Sequence, residues 1–141
     1  MDERQYSRPL DVHRISEYPE VQGVIDHLLS ELEESVLIKN SPRKKIRKHL
    51  KVVVLDLYIA YLSDPLLYVA YSRSKGNYSK ETRLGHLFFG FRPMMKVIDG
   101  LEVLGYLENH KGFHDRSTGR GRQSRMRATE RLLDLIQNHS V

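Results

Sequence analysis

Residues 97–106 read VIDGLEVLGY and end an amphipathic pattern that begins near Phe91. Apolar residues recur in this pattern at steps of three and four, which predicts a helix over 91–104. Asp99-Gly100 alone would indicate a turn, but the flanking period favours a helix that contains one glycine. Gly105 predicts the end of the helix, because glycine readily takes the left-handed conformation found at helix C-termini. The side predicted to face the core consists of Met94, Val97, Ile98, Leu101 and Leu104.

A β-hairpin is predicted directly after this helix. Residues 106–110 and 122–128 have strand character, and the turn-rich segment 111–121 between them contains glycines and arginines. Thr129 is predicted to cap a last helix, Glu130 to about Asn138. A basic hairpin between two helices is the arrangement of a wing. The second strand alternates, with Ser124, Met126 and Ala128 on one side and Gln123, Arg125 and Arg127 on the other.

The remaining sequence predicts one domain, 20–141, preceded by a flexible arm, 1–19, that lacks periodicity and contains prolines. The predicted fold class is mainly α, or α+β, because a small amount of strand accompanies several helices. The expected elements before the helix at 91–104 are an acidic accessory helix (20–36), a long helix with basic first turns (42–62), an edge strand (66–72) and a short helix (80–87).

Charge is distributed unevenly along the chain. Residues 1–42 contain nine acidic residues and four Lys or Arg, a net charge of −5, whereas residues 43–141 contain nine acidic residues and nineteen bases, a net charge of +10. The positive charge of residues 43–141 can attract phosphate backbones. The acidic segment is either a partner surface or a shield for the basic part of the same molecule.

Composition excludes several functional classes. The chain contains no cysteine, which rules out disulfides, thiol catalysis and cysteine-bound metals. Its N-terminal residues lack the apolar core of a secretory signal, and no uninterrupted apolar run reaches membrane-spanning length. We therefore expect a cytoplasmic protein without a membrane partner.

Three segments, in order and at the expected separation, resemble the winged-helix domain of MarR-type bacterial regulators. They are Val97–Tyr106, Asp115-Arg116 and Arg127–Leu133, within a region that covers about a third of the chain. The resemblance implies a winged helix-turn-helix with a recognition helix in the major groove and a wing on the adjacent backbone or minor groove. MarR-type proteins dimerise through long terminal helices, whereas only a short segment follows Thr129 here.

The long basic helix and the segment LLYVAYS, residues 66–72, are similar to the winged-helix modules of plasmid and phage replication initiators. In that family further domains often follow the module, so this chain would be an N-terminal domain. The biological process implied is replication initiation of a mobile element or transcriptional regulation. Either process makes double-stranded DNA the partner, with a homodimer possible.

The candidate DNA-binding residues fall into three groups. Residues on the outer face of the helix at 91–104 would face the DNA bases, and arginines of the hairpin would contact the DNA backbone or minor groove. Lys and Arg side chains of the long helix would add phosphate contacts. In that order, the groups are Arg92, Met95, Lys96 and Asp99; Arg116, Arg120, Arg122, Arg125 and Arg127; and Arg47, Lys48 and Lys51.

Other interpretations stay open at this point. The basic hairpin and the basic helix could serve solubility alone, and the acidic helix 20–36 could make the chain a protein-interaction module. His110 and His114 are four residues apart, but a hairpin separates them, so no metal site is expected. His49 and His86 are expected at the surface. The sequence contains no catalytic or phosphate-cradling motif, so neither an enzyme nor a cofactor is predicted.

Overall fold

The computed structural model describes residues 5–6, 17–35, 42–71, 91–115, 120–122 and 124–138. These parts of the chain are mainly helical with a small sheet, which confirms the predicted α+β class. The helices are α1 (Pro19–Glu34), α2 (Arg43–Ser63), α3 (Phe91–Val103) and α4 (Glu130–Asn138). The strands are β1 (Gln5–Tyr6), β2 (Tyr68–Tyr71), β3 (Leu107–His110), β4 (Phe113–Asp115), β5 (Arg120–Arg122) and β6 (Ser124–Ala128). The predicted short helix 80–87 lies outside the described residues.

Helix α2 is the centre of the core. It contacts α1, α3, β2 and β6, and every residue from Val52 to Ala60 is buried. The sequence predicted a single apolar face for this helix, but a helix that is covered on all sides buries its whole circumference. None of the described helices is long and apolar enough to cross a bilayer.

The prediction that His49 lies at the surface is wrong. Its side chain is fully buried in α2, and its Nδ1 atom lies 2.6 Å from the carbonyl oxygen of Lys45. A ring nitrogen that donates to this carbonyl satisfies a polar group that burial would otherwise leave without a hydrogen bond. Such a bond within the helix cannot be recognised from the spacing of apolar residues.

The sheet has the strand order β1-β2-β6-β3. Strands β2, β6 and β3 are antiparallel, with β6 in the middle of the three, and β1 lies parallel to β2. Strand β2 is therefore not the predicted edge strand, because Gln5 and Tyr6 of the N-terminal arm pair with its other side. The rest of the arm, through residue 16, lies outside the described residues.

One register runs through both parts of the hairpin. Leu107 lies opposite Ala128 in the β3–β6 ladder, and Asp115 lies opposite Arg120 in the β4–β5 ladder. Two residues separate the ladders on each strand, so the register is the same in both. The backbone N–H of Gly112 donates to the hydroxyl of the buried Ser124 at 2.8 Å where the ladders meet. At about 3.3 Å per residue, the strand run from 107 to 115 is roughly 26 Å long.

Within the described residues, a third strand pairs with the first half of this hairpin and not with the second. The last described pair between β2 and β6 is Tyr71 with Ser124, and β4 and β5 form a separate two-stranded ladder among the described residues. Their connection, residues 116–119, lies outside the described residues.

Candidate nucleic-acid interface

Helix α3 places its predicted core face as expected, with Met94, Val97, Ile98 and Leu101 fully buried. Of the residues predicted to face bases, Arg92 is exposed, and Lys96 and Asp99 are partly exposed. The prediction for Met95 is wrong, because this side chain is only 9% exposed and belongs to the core. The packing of α3 against α2 covers more of its circumference than the apolar stripe predicts.

The C-terminus of α3 is fixed by a Schellman motif. Gly105 has φ +86°, its N–H donates to the carbonyl of Glu102 at 3.0 Å, and the N–H of Tyr106 donates to the carbonyl of Leu101 at 2.8 Å. These are the two hydrogen bonds that define the motif, and glycine takes the left-handed conformation without strain from a Cβ atom. The predicted role of Gly105 is confirmed, and the chain leaves α3 directly into β3.

Thr129 connects the end of α3 to the start of α4. Its hydroxyl donates to the carbonyl of Gly105 at 2.7 Å and accepts the N–H of Leu132 at 3.4 Å. Its own N–H donates to the carbonyl of Tyr106 at 3.2 Å. The predicted cap is confirmed, and the same side chain also holds the two ends of the hairpin together.

At the supported end of the hairpin, one cluster of polar side chains spans the three antiparallel strands. This root cluster consists of Tyr68 in β2, Glu108 and His110 in β3, and Arg125 and Arg127 in β6. Arg127 lies directly opposite Glu108, and Arg125 lies directly opposite His110. These five residues lie on the face of the sheet opposite to Val69, Met126 and Leu107, which are buried.

Glu108 is the centre of the root cluster. Its carboxylate accepts two bonds from Arg127 Nη2 at 3.1 and 3.2 Å, one from the Tyr68 hydroxyl at 2.9 Å, and one from His110 Nε2 at 2.6 Å. The bond from His110, followed by those from Tyr68 and Arg127, lowers the pKa of Glu108 to about 2, although partial burial opposes the shift. The carboxylate therefore stays ionised at neutral pH and ties all three strands.

Both arginines of the root cluster stack on Tyr68. The guanidinium carbon of Arg127 lies 4.4 Å from the centre of the Tyr68 ring, and that of Arg125 lies 5.5 Å from it. Arg127 keeps only 27% of its side chain exposed and forms an ion pair with Glu108. Arg125 and Arg127 are thus both engaged within the sheet as cation–π partners of Tyr68, and Arg127 is also an ion-pair partner of Glu108.

Two of the remaining hairpin arginines lie in the β4–β5 ladder. Arg120 and Arg122 belong to β5, where the structure describes the backbone, at positions opposite Asp115 and Phe113. Arg116 lies outside the described residues. Of the five predicted arginines, Arg125 and Arg127 have side chains that the structure describes, and these two lie together on Tyr68.

The third predicted group lies on the first turns of α2, where it meets α1. Arg47 Nε lies 3.1 Å from Asp26 Oδ1, and Arg43 Nε lies 3.1 Å from Glu33 Oε2. Lys48 is exposed and Lys51 is partly exposed. The acidic face of α1 thus contacts basic residues of the same molecule, which matches the shielding interpretation of the charge pattern.

A further acidic residue of α1 connects this helix to the hairpin and to α4. Glu31 accepts a hydrogen bond from the hydroxyl of Tyr106, lies 2.9 Å from His27 Nε2 and lies 3.9 Å from Arg131 Nη2. The guanidinium of Arg131 also lies over the Tyr106 ring, 4.7 Å from its centre. Helix α1 is therefore fixed to the end of the hairpin, not only to α2.

Sequence reasoning missed Tyr68, Glu108 and His110 as parts of a site. The alternation of β6 already placed Arg125 and Arg127 on one side, and that alternation is confirmed. Their partners depend on the cross-strand register, which a turn-rich loop of eleven residues, 111–121, leaves undetermined. Among the described residues, no group of three His, Asp or Glu side chains could hold a metal ion.

Comparisons of the chain with models of protein families, with curated proteins and with solved structures found no match.

Proposed function

We propose that this chain binds double-stranded DNA as a winged helix-turn-helix, with α3 as the recognition helix and the β3–β6 hairpin as the wing. The observation behind this proposal is the hairpin itself. It follows α3 through Gly105, keeps one register over both ladders and ends, in the described residues, as the two-stranded β4–β5 ladder. A two-stranded ribbon fits a DNA groove, and a hairpin beside a helix is the arrangement of a winged helix.

The order of the strands supports the same architecture. Strand β2 precedes α3 in the chain and pairs with β6, the second strand of the hairpin, so that β6 lies between β2 and β3. Helix α3 contacts both α2 and β3, which fixes its position relative to the hairpin. A rigid position of both elements is what a groove-reading protein needs.

The charge of the hairpin suits a polyanion. Residues 111–131 contain seven Lys or Arg and two acidic residues. Because Glu108 pairs with Arg127, we assign the phosphate and minor-groove contacts chiefly to the arginines beyond the root cluster, Arg116, Arg120 and Arg122. Arginine suits this role, since its planar guanidinium binds phosphate or guanine in two places and fits a narrow minor groove.

On α3, Arg92 and Lys96 are one helical turn apart and are the basic candidates for reading bases in the major groove. Asp99 lies on the next turn, and Lys48 and Lys51 of α2 would add phosphate contacts. The proposed process is replication initiation of a mobile element or transcriptional regulation in the cytoplasm. A homodimer would place two such units on a palindromic site.

The test is the salt dependence of binding to random-sequence duplex DNA. We expect the variant Arg120→Ala/Arg122→Ala to flatten the slope of log K against log salt by about two units relative to the unmodified chain, because two phosphate contacts are lost. The matched control, Arg4→Ala/Arg8→Ala, removes the same charge from the arm and should leave the slope unchanged. If the slope flattened equally in both variants, the hairpin arginines would contribute only general positive charge and no phosphate contacts of their own.

A further inference from the structure

The contact between α1 and α2 pairs acidic residues with bases that would otherwise face solvent. Asp26 and Glu33 lie about two turns apart on α1, and they contact Arg47 and Arg43, one turn apart on α2. The four side chains keep between 36% and 73% of their surface exposed. These pairs are therefore surface contacts and not part of the core.

The first turns of α2 need negative charge from elsewhere. They contain Arg43, Lys44, Lys45, Arg47, Lys48 and Lys51, and no acidic residue lies in the first turn. Positive charge at a helix N-terminus is unfavourable, since it opposes the helix dipole, and repulsion among neighbouring bases adds to the cost. Carboxylates from α1 relieve both effects at Arg43 and Arg47.

A phosphate backbone could replace these carboxylates. Exposed ion pairs contribute little to stability and are screened by salt, so a dense row of phosphates competes with them effectively. Carboxylate and phosphate oxygens offer a guanidinium the same two-point acceptor geometry. The acidic face of α1 thus resembles, in charge and in contacts, the ligand proposed for the basic face beside it.

We propose that Asp26 and Glu33 compete with DNA phosphates for Arg47 and Arg43, so that α1 restrains non-specific binding by the basic turns of α2. This inference rests on the proposed function, since it concerns how the same ligand is bound. It makes α1 an autoinhibitory element whose effect weakens when its two carboxylates are neutralised. Binding to the hairpin is independent of this competition.

The first experiment compares Asp26→Asn/Glu33→Gln with a control that removes the same charge. The control is Glu34→Gln/Asp134→Asn, which alters two exposed acidic residues that form no ion pair with the part of the chain that the structure describes. We expect the first variant to bind random duplex DNA at least about fivefold more tightly at low salt, with a slope steeper by about two units. The control should show a smaller gain and an unchanged slope.

The second experiment identifies the arginines responsible. Adding Arg43→Ala/Arg47→Ala to Asp26→Asn/Glu33→Gln should remove the gain, so that the combined variant binds no more tightly than Arg43→Ala/Arg47→Ala alone. Circular dichroism spectra and melting temperatures establish that each variant is folded. If the gain in DNA affinity remained after both arginines were removed, the proposed competition would be wrong.

The outcomes separate the two proposals. If the unmodified chain binds duplex DNA and the two acidic double variants behave alike, the competition is wrong and the proposed function stands. If neither the unmodified chain nor Asp26→Asn/Glu33→Gln binds at low salt, the proposed function is wrong and the competition fails with it. If binding appears only after neutralisation of Asp26 and Glu33, the competition is supported, and duplex binding through the hairpin, which does not depend on these carboxylates, is wrong.

Discussion

Glu108 holds Arg127 directly across the hairpin, through two hydrogen bonds from the same guanidinium nitrogen at 3.1 and 3.2 Å. The pair lies where the hairpin is still part of the sheet, and Tyr68 and His110 donate to the same carboxylate. An arginine held in this way is a component of the scaffold. Arg120 and Arg122, in contrast, belong to β5, and we propose them as ligand contacts.

Replacing Glu108 by glutamine should destabilise the fold. Glutamine keeps the size of the side chain but loses the charge that holds Arg127, Tyr68 and His110. After allowance for partial exposure, we expect the free energy of unfolding to fall by about 1 kcal/mol. Urea unfolding monitored by circular dichroism measures the change, with Glu34→Gln as an exposed control on α1. An unchanged midpoint for Glu108→Gln would show that the root cluster contributes nothing to stability.

The contribution of Glu108 should depend on pH in a defined direction. Its pKa in the folded chain is about 2, below the ordinary value of 4.5, so the ionised form is favoured by folding. The stability that Glu108 provides is fully present above the pKa of its carboxyl in the unfolded chain, and it is lost as the pH falls from about 4.5 towards about 2. The difference in unfolding free energy between the unmodified chain and Glu108→Gln should therefore shrink over that window. A difference that is constant down to about pH 2.5 would contradict the assigned contacts.

Thr129 offers a test of the junction between α3 and α4. Alanine removes both the cap of α4 and the bond to the Gly105 carbonyl, and we expect a loss of about 1–2 kcal/mol in unfolding free energy. Serine retains the hydroxyl and should recover most of the loss. Thermal or urea unfolding of the two variants distinguishes the hydroxyl from the methyl group. Equal losses for alanine and serine would assign the effect to packing.

Lys96 tests whether α3 reads bases. If it contacts a base edge, Lys96→Ala should alter sequence preference at one position by about 1–3 kcal/mol and change non-specific affinity much less. A selection from randomised duplexes, followed by titration of single-base variants of the selected site, measures this change. A loss that is the same for every sequence would make Lys96 a phosphate contact.

Local sequence patterns predicted the elements that depend on neighbouring residues. The end of α3 at Gly105, the cap at Thr129 and the alternation of β6 follow from a few adjacent positions, and all three are confirmed. Met95 and His49 were placed incorrectly, because their burial depends on how α3 and α2 pack in the core. The root cluster was missed because Tyr68 and Glu108 meet only through the pairing of distant strands.

The central claim, duplex binding through a wing, is tested most directly by measuring the affinity of the unmodified chain for random duplex DNA at two salt concentrations. With about six phosphates contacted, the association constant should fall about a thousandfold between about 50 and 200 mM salt. Absence of binding at the lower concentration, or binding that salt does not change, would contradict the claim.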